Sequence, residues 1–297
     1  MPSREIALLT NPTAGKGKGE KVRDRAVARL RDAGLGVRSL QGRDASEALD
    51  LARQCVADGV DALVVCGGDG MVHLAVQALA GTGTPLGIVP AGTGNDVARY
   101  FDLPRKDPDA AVDRVVAWHT RRIDLARSGS QYFVTVLAAG FDAVVNERAR
   151  RMRWPRGQMR YNLAVLRELP VFRPIPYVIE LDGRRLETRA MLVAVANTTS
   201  FGGGMKVCPG ADVADGLLDV MVVHALSIPS FLRVFPKVYS GAHTTHPAVE
   251  IHRARRVRLE ASGIHSQADG ETFADLPIDA EVVPGALRVV APSEVLA

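Results

Sequence analysis

Aromatic residues make up only 5% of this 297-residue chain. That is too few for the stacking platforms that single-stranded nucleic acid requires, and a formal net charge of +4 adds too little attraction to change the conclusion. Nucleic acid is therefore not an expected partner. The three cysteines, Cys55, Cys66 and Cys208, have no metal-ligand spacing and suit a reducing cytoplasm rather than a disulfide framework. No run of about 18 apolar residues occurs, and no basic segment leads into an apolar one at the start. The expectation is a soluble, cytoplasmic protein. No internal repeat or low-complexity segment stands out.

What is present is a full core and a set of glycine turns. Hydrophobic residues reach 47% and charged residues 24%, which fits one large or two modest globular domains. The stretch from Ala62 to Phe101 organises the rest. An apolar run, Ala62 to Cys66, breaks into Gly67-Gly68-Asp69-Gly70 and then into a helix-periodic segment, Val72 to Leu79. A second apolar run, Leu86 to Val89, breaks into Pro90-Ala91-Gly92-Thr93-Gly94-Asn95-Asp96 and leads toward another helix. Each unit reads as a buried strand, a glycine turn and a helix start.

Glycine lets a ligand approach the backbone closely, and the N–H groups at a helix start favour phosphate. Two such loops at neighbouring strand ends would make one polyphosphate cradle at the carboxyl edge of a parallel sheet. Neither loop is a Walker A sequence. Asp69 and Asp96 place carboxylates beside the expected phosphates, which calls for a divalent cation between them. The stretch reads as a nucleotide site.

GGDG followed by PAGTGND resembles the bacterial diacylglycerol kinase family, relatives of sphingosine and ceramide kinases, and the resemblance runs from Asn11 to about Val290. It implies ATP and Mg²⁺ as cofactors, with Gly67, Gly68, Asp69, Gly70, Gly92, Thr93, Gly94, Asn95 and Asp96 at the nucleotide. Met71 stands where the family usually has Thr and joins the same group. The loop after the first strand (Glu5 to Thr10), Asn11-Pro12-Thr13-Ala14-Gly15-Lys16-Gly17, is similar to the family's NPxxG loop, which brings Asn11, Pro12 and Lys16 to the nucleotide (Lys18 is the alternative cation). Ser39 holds the offset of a family Thr that touches nucleotide. The GGDG element is shared with NAD kinases; the PAGTGND partner is the more specific one.

Helical periodicity covers Lys21 to Ala33, and Asp44-Ala45-Ser46-Glu47 opens the next helix with capping-box spacing. Asp107 to His119 makes another, and Ile123 to Ala126 a crossover strand. From Tyr132 onward β-rich segments dominate (132–137, 177–181, 189–195, 219–223, 257–261 and 277–283), with helical intervals at 142–152, 159–169 and 229–239. Asp182-Gly183 is a hairpin signal. The expected fold class is α/β plus β: a doubly wound α/β nucleotide-binding domain over 1–126, a mainly antiparallel β-sandwich over 127–285 for the lipid substrate, and a C-terminal strand within 286–297 packing back on the first domain. The cleft between the domains is the expected active site.

Three further constellations lie in the second half. Asp269-Gly270-Glu271 matches the family's DGE motif, whose Glu is the general base; the resemblance makes Glu271 and Asp269 the catalytic pair. His265 is the alternative base. Asp212, Asp215 and Asp219 surround an Asp-Gly turn; the family places a structural Mg²⁺ at offsets that fall on Asp212, Asp215 and the Leu217 carbonyl, with Asp69 as a further metal residue. Phe201-Gly202-Gly203-Gly204-Met205 resembles a loop bounding the acceptor pocket. Between Arg148 and Arg160 lie six arginines interleaved with Met152, Trp154 and Met159, and no acidic residue intrudes. A solvated helix face and an anionic bilayer surface both accommodate such a run; peripheral contact with the inner face of the plasma membrane through Arg148, Arg151, Trp154 and Arg156 is the expectation, and a homodimer is compatible with it. The resemblance implies an ATP-dependent kinase converting diacylglycerol to phosphatidic acid. The alternatives are a kinase of another lipid alcohol (sphingoid base or ceramide type) and a nucleotide-binding membrane regulator without turnover.

Overall fold

A computed structural model describes residues 4–10, 19–152, 154–155 and 158–292. The chain forms two compact units, 1–125 with 283–297, and 126–282.

The first unit contains β1 (Glu5–Thr10), α1 (Gly19–Asp32), β2 (Gly36–Leu40), α2 (Ala45–Ala57), β3 (Ala62–Gly67), α3 (Asp69–Leu79), β4 (Pro85–Pro90), α4 (Asp96–Tyr100) and α5 (Pro108–Ala117). Its strands run parallel in the order β4-β3-β1-β2. β3 and β4 are buried at every position, as strands covered on both faces must be, and they read as continuous apolar runs for that reason. The helices start where their caps dictate. The Asp44 carboxylate accepts the Glu47 N–H at 2.9 Å while Glu47 reaches back to the Arg43 N–H at 2.6 Å; Asp107 caps α5 ahead of Pro108. Both devices satisfy N–H groups that a helix start otherwise leaves without partners.

The chain crosses to the second unit within β5 (Thr120–Ser128). There follow β6 (Gln131–Phe133), β7 (Val136–Gly140), α6 (Phe141–Arg151), α7 (Gln158–Glu168), β8 (Ile175–Leu181), β9 (Arg184–Ala196), β10 (Leu218–His224), α8 (Ile228–Val234), β11 (Val249–Ala254), β12 (Arg256–Glu260), β13 (His265–Ala268), β14 (Glu271–Asp275) and β15 (Ile278–Val290), which returns to the first unit and pairs with β4 through Val289 and Leu86. The long β9 pairs with β8 along its first half and with both β7 and β10 along its second. All these pairings in the second unit are antiparallel. One face of this sheet contributes Tyr177, Ile179, Val193, Val195 and Leu259 to a buried core; residues of the other face, Ala138, Ala194 and Met221, pack with Phe201 and Met205. Helices α6, α7 and α8 share a third cluster around Phe141 and Phe231, whose rings meet edge to face.

Three expectations change in detail. The strand expected over 132–137 is split into β6 and β7, because the backbone N–H groups of Val134 and Thr135 turn to a side chain, Asp269, rather than to a neighbouring strand. The helix expected over 229–239 is α-helical only to Val234 and tightens to a 3-10 turn over Phe235–Tyr239, since Pro236 has no N–H to continue the α ladder. β11 was not expected: Glu250, Ile251 and Arg253 are exposed, so this edge strand shows little apolar alternation.

Candidate functional site

β3 and β4 are adjacent and in register, Gly67 opposite Pro90, so their glycine loops leave the same edge of the sheet side by side. The loops touch through backbone. A Cβ added to Gly92 would stand 2.5 Å from the Gly68 Cα, and one on Gly94 would stand 2.6 Å from Asp69 Oδ2. Only glycine allows this approach. Hydrogen bonds fix the arrangement: Ala91 N–H to the Gly67 carbonyl at 2.9 Å, Gly92 N–H to Asn95 Oδ1 at 3.1 Å, and Asn95 Nδ2 to the Gly92 carbonyl at 2.9 Å. Asn95 holds a left-handed backbone (φ 51°) immediately before α4, a conformation that Asn tolerates better than most residues. Asp69 Oδ1 accepts the Asp96 N–H at 2.7 Å, tying the start of α3 to the start of α4. Asp96 is buried, with Arg99 Nε 3.6 Å from its Oδ1.

Met71 is buried, and its side chain folds back over Gly67, where an added Cβ would come within 2.5 Å of the Met71 Cγ. The residue that departs from the family pattern thus supplies packing under the first loop. Ser39 is exposed on β2, opposite Leu8; β1 stands between β2 and β3. Asn11, Pro12 and Lys16 lie outside the described residues.

In the second unit Asp269 and Gly270 have left-handed backbones (φ 53° and 83°) in a two-residue turn joining β13 to β14, the pairing that suits a tight hairpin. The Asp269 carboxylate is buried and turned inward. Its Oδ1 accepts the Thr135 N–H and the Thr135 hydroxyl, each at 2.7 Å, and its Oδ2 the Val134 N–H at 3.1 Å. These contacts anchor the turn. Glu271, directly after it, is exposed at the start of β14, opposite Ala268. His265 pairs with Asp275 across the same hairpin.

The Asp212–Leu217 loop is closed on itself. Asp212 Oδ1 accepts the Ala214 N–H at 3.0 Å, Asp215 Oδ1 accepts the Leu217 N–H at 2.9 Å, and the Arg253 guanidinium pairs with Asp215. Arg253 Nε also lies 3.8 Å from Asp219 Oδ2. Burial holds the Asp219 carboxyl above its usual range, against the pull of Arg253. Arg253 here answers part of the loop's negative charge. Among the described residues, no three His, Cys, Asp or Glu side chains are grouped to hold a metal ion. Asp69 Oδ2 lies against Gly94, where an added Cβ would stand 2.6 Å from it.

The arginine-rich segment spans the end of α6 and the start of α7. Arg148 pairs with the buried Glu168 of α7, and Arg151 pairs with Glu147 one turn earlier. The acidic partners lie outside the run of arginines, Glu147 directly before it and Glu168 near the end of α7, so part of the charge that looked unopposed is already answered. Trp154 is 77% and Met159 66% exposed. Arg156 lies outside the described residues. No described helix is long and apolar enough to cross a membrane.

Sequence reasoning missed Thr135 and Asp142. Thr135 is 134 residues from the carboxylate it binds, and no local signal marks it. Asp142 lies in the buried first turn of α6, where the Tyr161 hydroxyl donates to it at 2.5 Å and Asn146 Nδ2 at 3.0 Å. Burial pushes its carboxyl up to about 6. A carboxylate within the apolar run Phe141–Val145 was its available sign.

Residues 5–128 match the model of the diacylglycerol kinase catalytic domain, and residues 135–291 match that of the YegS C-terminal NAD kinase beta sandwich-like domain. A diacylglycerol kinase of Mycobacterium tuberculosis (strain H37Rv) is 46% identical over 294 residues, covering 97% of this chain and 95% of that protein. The chain belongs to the diacylglycerol kinase family. It is an enzyme of that family's lipid-kinase class and of actinobacterial type. A diacylglycerol kinase of Bacillus subtilis (strain 168) is 28% identical, with 98% of this chain and 97% of that protein covered. The fold is shared with a crystal structure of a diacylglycerol kinase from Bacillus anthracis (TM-score 0.80, 26% identity, 98% of each chain) and with a second crystal structure from that organism (TM-score 0.82, 23% identity, 99% of each chain). The family's α/β domain followed by an antiparallel β-sandwich is the architecture described above.

Proposed function

We propose that this kinase transfers the γ-phosphoryl group of ATP to the hydroxyl of diacylglycerol, giving phosphatidic acid and ADP. The observation that carries the reading is the pair of glycine loops on β3 and β4, pressed backbone to backbone and bounded by Asp69. Such loops present N–H groups to phosphate where side chains would obstruct it. Asp69 is the residue that would hold Mg²⁺ with the nucleotide, and the ion would neutralise charge on the phosphates. The acceptor is taken from what the relatives are named.

The acceptor hydroxyl oxygen bonds to the γ-phosphorus as the bond from that phosphorus to the β,γ-bridging oxygen breaks. The hydroxyl proton passes to the Glu271 carboxylate. Asp269 holds the turn that carries Glu271, and its inward hydrogen bonds support a positioning role. Trp154 and Met159, exposed beside Arg151, support contact with an anionic bilayer surface at the cytoplasmic face, where a kinase meets a lipid headgroup without extracting the whole molecule.

The test is labelled phosphate transfer from Mg–ATP in anionic mixed micelles, with sphingosine and NAD as parallel acceptors. Label in phosphatidic acid is expected, and Glu271→Gln should lower kcat by about 10²- to 10⁴-fold while ATP binding is kept. Label only on another acceptor would replace the substrate. No label with ATP still bound would favour the regulator.

A further inference from the structure

Val134 and Thr135 are buried in the gap between β6 and β7. The sheet around them has just ended on both sides. β7 pairs with β9 as far as Val136 and Ala196, and with β13 as far as Leu137 and Ala268. The next residue of each neighbour is polar and buried: Asn197 after β9, Asp269 after β13.

These two residues hold the same dipeptide. The Asp269 carboxylate accepts the Val134 and Thr135 N–H groups and the Thr135 hydroxyl. Asn197 takes the carbonyls. Its Nδ2 donates to the Val134 oxygen at 2.9 Å and its backbone N–H to the Thr135 oxygen at 2.8 Å, where the Thr198 N–H adds a bond of 3.3 Å. Buried backbone groups require partners, and here two side chains supply what the ended strands cannot. The role at Asn197 needs an amide, since an aspartate of the same shape has no hydrogen to donate.

The arrangement bears on the general base. Glu271 begins β14, the last strand of the sheet, whose partner is β13. The turn that carries Glu271 is anchored by Asp269 to Val134 and Thr135, and Asn197 fixes where those two residues sit against the end of β9. A shift of about 1 Å in a reacting group can cost about 100-fold in rate.

We propose that Asn197 is a positioning residue for Glu271, acting through Val134, Thr135 and the Asp269 turn. The proposal rests on the general-base role of Glu271 in the lipid-kinase reading above and adds a distant residue that keeps the base in place.

A double-mutant cycle separates positioning from general support of the fold, because residues that act as a unit do not lose activity additively. Labelled phosphate transfer from Mg–ATP to diacylglycerol is measured for Asn197→Ala, Glu271→Gln and the double variant, at equal folded protein by circular dichroism. Asn197→Ala removes the bond to the Val134 carbonyl and leaves the backbone bond to Thr135. It should lower kcat about 10- to 100-fold with ATP affinity unchanged by calorimetry. In the Glu271→Gln background it should lower kcat by less than about twofold. Thr135→Val, which replaces the hydroxyl that Asp269 accepts with a methyl, should show the same coupling, and it carries the test if Asn197→Ala does not fold. An equal loss in both backgrounds, or no loss in the unsubstituted enzyme, would overturn the proposal and leave the kinase reading standing. Full turnover by Glu271→Gln would overturn the base assignment and the proposal with it.

Discussion

Asp142→Asn should make the protein more stable at neutral and alkaline pH. Burial raises the Asp142 carboxyl from 3.8 to about 6, roughly 2 pH units, and each unit corresponds to about 1.36 kcal/mol. The sign follows from which state holds the proton more tightly. Between the unfolded and folded values the native protein carries the proton and the unfolded chain does not, so stability falls as pH rises through that window. Above about pH 6 the buried carboxylate therefore costs about 3 kcal/mol, and below about pH 4 the cost is gone. Asn keeps the shape but can accept only one of the two hydrogen bonds from Tyr161 and Asn146, a loss of about 1 kcal/mol. A net gain of about 2 kcal/mol at about pH 8, reversing to a loss of about 1 kcal/mol near pH 4, is expected from urea unfolding followed by circular dichroism. An equal effect at both pH values would refute the reasoning, because only a titrating group makes the difference depend on pH.

Gly92→Ala should weaken ATP binding at least tenfold by calorimetry, because its Cβ would meet the Gly68 Cα at 2.5 Å; Gly210→Ala, with nothing within 4 Å, is the control and should leave binding unchanged. Asp269→Asn replaces one acceptor oxygen with a donor facing donors of Val134 and Thr135. It should lower stability by about 2 kcal/mol and reduce kcat more than it changes ATP affinity, read from unfolding midpoints and kinetics. Trp154→Ser should reduce sedimentation with anionic vesicles severalfold while ATP affinity is unchanged, and equal sedimentation would remove Trp154 from the membrane surface.

Much of the first unit was legible because its signals are local. β3 and β4 are short apolar runs ended by glycines, and α2 and α5 begin at caps that bond within the next three residues. The second unit was less legible, since β11 carries its charges outward and the strand expected over 132–137 is interrupted between β6 and β7 by a distant carboxylate. A strand interrupted by a side chain 134 residues away leaves no mark in its own few residues.

The same division holds for the site. From sequence alone came the two glycine loops, Asp69 and Asp96 beside them, and the Asp269-Gly270-Glu271 turn, because close backbone approach and tight turns demand particular residue types at particular spacings. The tertiary structure decided what each side chain touches. It turned Asp269 inward to Val134 and Thr135, put Arg253 on Asp215, buried Met71 over Gly67, and paired Arg148 with Glu168. Spacing along the chain determines which turn forms, whereas partners and burial depend on segments that meet only after the strands and helices have packed.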